Sequence, residues 1–177
     1  MSAETNHFAL FGLEPRFAID LDELTRRYRD LQQAVHPDRY ASASDAERRL
    51  SMQRSVALNE ALQVLRDPLQ RARHLLALRG LEWEDEYETR MDPAFLMQQM
   101  EWREALGGAR EAADPLEVTG RILDEVTAER RRIIARLGEL LDGEGAPEEA
   151  KGLILQLQFL GKLIQEAEAL EAELEEI

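Results

Sequence analysis

Cysteine is absent from this 177-residue chain, which excludes disulfides, thiolate metal sites, thiol catalysis and any iron–sulfur cluster held by the chain's own sulfur. Histidine is scarce: His7, His36 and His74 lack metal-ligand spacing, so neither a metal nor a cofactor is expected. β-Branched residues are sparse and do not alternate with polar ones, while Ala, Leu, Glu, Arg and Gln dominate, which predicts an all-α chain. No apolar run approaches the roughly 20 residues a membrane span needs. No basic segment followed by a short apolar one opens the chain. A cytoplasmic protein with no membrane partner is the expectation.

A basic excess is also missing. Lys and Arg number 22 against 36 Asp and Glu, a net charge of −14, which argues against nucleic acid as a partner. The charge is unevenly divided. Residues 1–79 hold 12 Arg against 11 acidic residues, and residues 80–177 hold 10 basic against 25 acidic. Two modules are the simplest reading, with an acidic, irregular linker between them. The boundaries are 1–79, 80–91 and 92–177.

Helix punctuation is plentiful. His7 to Gly12 is a short amphipathic piece broken by Gly12 and Pro15. Asp20 and Glu23 have capping-box spacing for a helix to Val35, with Leu21, Leu24, Tyr28, Leu31 and Val35 as its apolar stripe. Ser44 and Glu47 repeat the box for a helix to Asp67-Pro68, with Leu50, Ala57, Ala61, Val64 and Leu65 as core contacts. A continuation runs from Leu69 to Leu78 and ends at Gly80. Asp92-Pro93 and Asp114-Pro115 each offer an N-cap with proline at the first helical position, opening helices from 93 to 112 and from 115. After the turn at 142–147 the last helix carries Leu153, Leu157, Leu160, Ile164 and Ala167 as its stripe. These three form a small bundle.

Between the first two long helices stands His36-Pro37-Asp38. Pro37 forces its predecessor out of helical geometry and so fixes how His36 and Asp38 project. At 100° per residue the arginines Arg26 and Arg29 lie opposite the apolar stripe, just upstream. A basic face beside a polar turn suits an acidic partner surface, although outward charges can equally be mere solvation. His36 and Asp38 could be a general-base pair, or Asp38 could simply cap the turn. The sequence supplies no nucleophile, metal or phosphate cradle for catalysis, so the chain is not expected to be an enzyme.

In the bundle, Phe95, Trp102 and Leu106 fall within about 40° of one another on their helix, a core face. Leu96, Met97 and Met100 fall on another sector with Glu101 and Glu104. On the last helix Phe159 lies away from the stripe, with Leu155 and Leu163 near it. Methionine adapts to a partner's shape, yet bundle helices also bury wide faces, and periodicity leaves both uses open. Arg103 lies on the same helix, where pairing with a neighbouring carboxylate is use enough for it.

The His-Pro-Asp turn after a basic amphipathic helix, followed by a helix ending in Leu58-Asn59-Glu60-Ala61-Leu62-Gln63-Val64-Leu65-Arg66-Asp67-Pro68, resembles the J-domain of DnaJ co-chaperones. Phe8-Ala9-Leu10-Phe11-Gly12-Leu13, Arg71-Ala72-Arg73-His74-Leu75-Leu76 and Asp92-Pro93-Ala94-Phe95-Leu96-Met97 extend the resemblance to the HscB family over nearly the whole chain. Arg39 stands where J-domains usually have Lys, which keeps the charge but not the donor geometry. The cysteine-bearing amino-terminal module of some eukaryotic relatives is missing, which favours a bacterial type.

The resemblance implies a J-domain joined to a three-helix bundle in an L-shaped arrangement. It implies a co-chaperone that stimulates ATP hydrolysis by HscA, a DnaK-type chaperone, during iron–sulfur cluster assembly. Arg26, Arg29, His36, Pro37, Asp38 and Arg39 would face HscA. Leu96, Met97, Met100, Glu101, Glu104 and Phe159 would bind the scaffold protein IscU. The working species would be a monomer with weak self-association at most. A J-domain adaptor for another client is the nearest alternative, and a small helical enzyme using His36 and Asp38 the more distant one.

Overall fold

The computed structural model of the chain describes residues 6–36, 38, 44–81, 92–143, 145 and 147–176. Among these residues there are seven α-helices, 3-10 geometry at Asp38 and over Ala109–Glu111, and no strand. The chain divides into two compact units, Met1–Trp83 and Glu84–Ile177. Of the expected linker, residues 82–91 lie outside the described residues.

In the first unit α1 (His7–Leu10), α2 (Leu21–Val35), α3 (Asp45–Arg66) and α4 (Pro68–Leu78) share one core. Asn6 caps α1 by accepting from the Ala9 amide at 3.2 Å. Its last turn closes at Gly12, whose φ of 61° lets Gly12 N–H reach Ala9 O and Leu13 N–H reach Phe8 O, both at 3.0 Å. This paired closure is the usual glycine end of a helix. Gly80, φ 75°, closes α4 the same way, with Leu81 N–H on Leu76 O at 3.0 Å. Arg27 of α2 then donates to Phe11 O at 2.7 Å and Gly12 O at 2.6 Å, which ties the first turn to the second helix.

The helices α2 and α3 form an antiparallel arm. Leu24, Leu58, Ala61 and Leu65 are buried in its seam beside Phe8, Leu75 and Leu76, and each fully buried large side chain stabilises by about 1.5–3 kcal/mol. Polar rungs cross the same seam. Arg66 donates to Thr25 Oγ1 at 3.1 Å, Tyr28 Oη to Asn59 Oδ1 at 2.7 Å, Gln32 Nε2 to Ser55 Oγ at 2.9 Å, and Ser51 Oγ to the Val35 carbonyl.

Two buried polar residues hold the junction of α3 and α4. Arg71 donates to Leu65 O at 2.6 Å and lies 4.7 Å above the Phe17 ring, so it caps α3 and makes a cation–π contact. His74 accepts from the His7 amide through Nε2 at 3.2 Å and packs against the rings of His7 and Phe8. Burial, helped by the neighbouring His7, pulls its pKa from 6.5 down to about 4.

In the second unit α5 (Pro93–Gly108) runs through a 3-10 turn, Ala109–Glu111, into α6 (Pro115–Asp142), which pairs along its length with α7 (Pro147–Glu175). Asp92 and Asp114 cap as the Asp-Pro pairs predict, accepting from Ala94 N–H at 3.1 Å and Glu117 N–H at 3.0 Å. Arg136 of α6 bonds Glu149 of α7 at 2.8 and 3.0 Å, and Arg110 pairs with Glu173 near the other end. These pairs set the antiparallel register. Trp102 Nε1 donates to Glu125 Oε2 at 2.9 Å, which fastens α5 to α6.

Several sequence expectations are revised. The Ser44–Glu47 capping box closes in both directions, whereas at Asp20 only half forms, because Arg27 takes the Glu23 carboxylate. Leu50 is 47% exposed and Leu58 is buried in its place. The helix expected over 93–112 ends at Gly108. On α7 the buried stripe runs through Ile154, Leu157, Leu160, Leu163, Ala167 and Leu170, so Leu163 belongs to the core rather than beside Phe159.

Two stability outcomes follow. His74 is held neutral in the folded chain but protonates in the unfolded one, so its depressed pKa contributes stability that is complete above 6.5 and is lost as pH falls toward 4. Urea unfolding of the first unit should lose up to about 3 kcal/mol across that window. His74→Gln, which keeps an acceptor without the titration, should flatten the slope. Trp102→Phe should cost about 1–2 kcal/mol in the second unit, since the Glu125 carboxylate loses its donor while the aromatic ring remains. An equal midpoint for Trp102→Phe and parent in the same urea titration would show that water replaces the bond at no cost.

Candidate functional site

The open end of the arm is built by the way α2 stops. His36 has φ −59° and ψ 131°, extended geometry that the following proline demands and that no helix can continue through. Both flanking side chains face outward: the His36 side chain is 51% and the Asp38 side chain 91% exposed. His36 Nδ1 accepts from the Asp38 amide at 3.3 Å in the neutral ring, and lies 3.6 Å from an Asp38 carboxylate oxygen, to which a protonated ring could donate. Pro37 and Arg39 lie outside the described residues.

Beside this turn a shallow groove of about 570 Å³ is lined by Tyr28, Arg29, Gln32, Gln33 and His36. Arg29 therefore borders the same hollow as the imidazole, and Arg26 is exposed one turn earlier on α2. Tyr28 and Gln32 have a second duty there, because both also bridge to α3. The groove wall is thus part of the arm's own scaffolding. Tyr28 falls on the apolar stripe read from the sequence, whereas Gln32 and Ser51 escape that reading, since a polar residue on an amphipathic helix is by default assigned to solvent. Their order shows only in the folded pair. The partners Tyr28 with Asn59, Gln32 with Ser55 and Val35 with Ser51 keep nearly constant antiparallel register.

In the second unit the core face and the outer sector of α5 separate cleanly. Phe95, Trp102 and Leu106 are buried, whereas Leu96 is 37%, Met97 66% and Met100 67% exposed. Glu101 and Glu104 are on the same helix with Arg103, and Gln98 donates to Glu101 at 3.2 Å. Phe159 is half-buried on α7. The pairing of Arg136 with Glu149 sets Phe159 about level with Val126, next to the Glu125 that holds Trp102. Phe159 thus stands at the level of the middle of α5, where Met100 and Glu101 lie. On α5 the exposed Leu96, Met97 and Met100 stand among exposed carboxylates, Glu101 and Glu104.

Among the described residues no cluster of three or more His, Asp or Glu could hold a metal ion, and no helix is long and apolar enough to cross a membrane.

Residues 91–168 match the family model described as the HSCB C-terminal oligomerisation domain. A co-chaperone protein HscB homolog from Pseudoalteromonas atlantica is 45% identical over 92% of this chain and 94% of its own. Another from Ralstonia nicotianae is 46% identical over 96% of this chain and 97% of its own. Among solved structures, the chaperone HscB from Vibrio cholerae superposes with a TM-score of 0.84 at 39% identity, covering 96% of this chain and 99% of that one. The human co-chaperone protein HscB gives the same TM-score at 27% identity, over 96% of this chain and 83% of its own.

Proposed function

The chain belongs to the HscB family of co-chaperones, and from that premise we propose that it carries the iron–sulfur scaffold IscU to the DnaK-type chaperone HscA in the cytoplasm and stimulates HscA's ATP hydrolysis there. Residues 1–79 act as the J-domain and residues 92–177 as the scaffold-binding bundle. The observation that carries this reading is the exposed His36 and Asp38 pair at the end of the arm, bordered by Arg29 in one groove. The hydrolytic groups belong to HscA.

On this reading Arg26, Arg29 and Arg39 supply charge complementarity to an acidic surface of HscA, which raises the encounter rate and fixes orientation. The turn of His36, Pro37 and Asp38 then makes contacts that exist only in the hydrolysis-competent state. Equal affinity for both states would stimulate nothing. IscU docks on Leu96, Met97 and Met100, with Glu101 and Glu104 at the rim and Phe159 as an aromatic anchor. The exposure of the two methionines supports this, because a bundle needing only a core would gain by burying them. The matching family model is described as an oligomerisation domain, which supports self-association of the bundle; the monomer as working species remains our proposal.

Steady-state ATP hydrolysis by HscA should rise synergistically when this chain and IscU are added together. His36→Gln should abolish the rise while IscU binding stays intact; a full response from His36→Gln would remove the tip from the mechanism. In a calorimetric titration with IscU, Met97→Ala or Phe159→Ala should each weaken binding about five- to thirtyfold, near 1–2 kcal/mol. Undiminished affinity in both would place the scaffold elsewhere.

A further inference from the structure

Where α2 ends, its final carbonyls have no partner within the helix. For Val35 the partner comes from the other side of the arm: Ser51 Oγ donates to the Val35 carbonyl oxygen. Ser51 is only 3% exposed, although its neighbours Leu50 and Met52 are 47% and 61% exposed. A serine within a helix ordinarily bonds the carbonyl of its own preceding turn, so a bond made across the arm is a tertiary tie.

The tie acts on one particular peptide unit. The Val35 carbonyl and the His36 nitrogen lie in one rigid plane. Holding that oxygen sets the plane and with it the direction in which His36 departs. The next rung, Gln32 with Ser55 at 2.9 Å, keeps the helices from rotating against each other one turn further in. The contacts of His36 at 3.3 and 3.6 Å run forward to Asp38, within the turn. Ser51 connects the root of that turn to the facing helix.

We propose that Ser51 is a positioning residue for the chaperone-stimulating tip: its hydroxyl clamps the Val35 carbonyl and thereby aims His36 and Asp38. The proposal rests on the reading of that tip as the element that stimulates HscA. Ser51 touches neither nucleotide nor partner. It acts through His36.

The test is HscA ATPase stimulation titrated with the full chain, its Ser51→Ala, Ser51→Thr and His36→Gln variants, and the Ser51→Ala/His36→Gln double variant. Loss of one aimed hydrogen bond should lower maximal stimulation about three- to tenfold, with the half-saturating concentration unchanged within about twofold, because the arginine face still docks. Ser51→Thr keeps the hydroxyl and should recover most of the maximum. In the His36→Gln background Ser51→Ala should take nothing further away. A urea midpoint of the first unit matching the parent should report that the arm is folded, which IscU binding, a property of the other unit, does not. A parental maximum for Ser51→Ala beside an inactive His36→Gln would overturn the positioning role and leave the chaperone reading standing. A raised half-saturating concentration with an intact maximum would also overturn it, since that describes a loosened docking face. An active His36→Gln would remove the reading underneath both.

Discussion

Two helices that stand side by side in solvent can bury only one stripe each, and in this arm the stripe runs out before the tip. Leu24, Leu58, Ala61 and Leu65 are buried toward the end that packs on α1 and α4, whereas Leu50, Met52 and Val56 are exposed. From there on, directional bonds take over. A hydrogen bond across the seam has a net worth of about 0.5–1.5 kcal/mol, less than burying one leucine. What it adds is direction, which apolar burial does not provide. The direction in which His36 leaves α2 can therefore be set without a large apolar contact.

This division explains which parts of the fold are legible in the sequence. Caps and breaks are local chemistry within three or four residues, so Asp92-Pro93 and Asp114-Pro115 announce helix starts that the structure has, and Asp67-Pro68, read as a break, both ends α3 and caps α4. The half-formed box at Asp20 is not legible, since the competitor for Glu23 is an arginine that must first reach the carbonyls of Phe11 and Gly12. In α7 apolar residues occupy Leu153, Ile154, Leu155, Leu157, Leu160, Leu163 and Ile164, too many for periodicity to select one stripe. The partner helix α6 makes the selection, because its own buried face, Ile122, Val126, Ile133, Leu137 and Leu141, is what the stripe packs on.

Legibility of the candidate sites follows the same rule. On α5 helical angles separate Phe95, Trp102 and Leu106 from the sector of Met97 and Met100, but periodicity does not decide whether that second sector is buried too; the structure leaves it exposed. Phe159 is harder, because α7 is half-buried on several sides and its position opposite Leu157 does not bring it fully into solvent. At the tip, the extended geometry of His36 follows from the identity of the next residue, Pro37. The residues that hold the turn's root are hidden from the sequence. Serine and glutamine pack across a helical seam only when the register brings them together, and register is a property of the folded pair.

The two units carry opposite problems of recognition. Residues 1–79 have nearly balanced charge, with Arg26 and Arg29 on the outer side of α2; residues 80–177 hold 25 acidic residues against 10 basic. A long-range field alone would draw basic partners to the bundle and acidic ones to the arm, and at physiological salt such steering fades within about 8 Å. Discrimination must then come from contact geometry. For the proposed stimulation of an ATPase, the chain has to prefer one conformation of its partner over another, and whatever free energy is spent ordering its own tip on binding is not available for that preference. A turn already oriented in the unbound chain, through a clamped carbonyl at its root and a buried seam behind it, leaves a larger share of the contact energy for telling the two states apart.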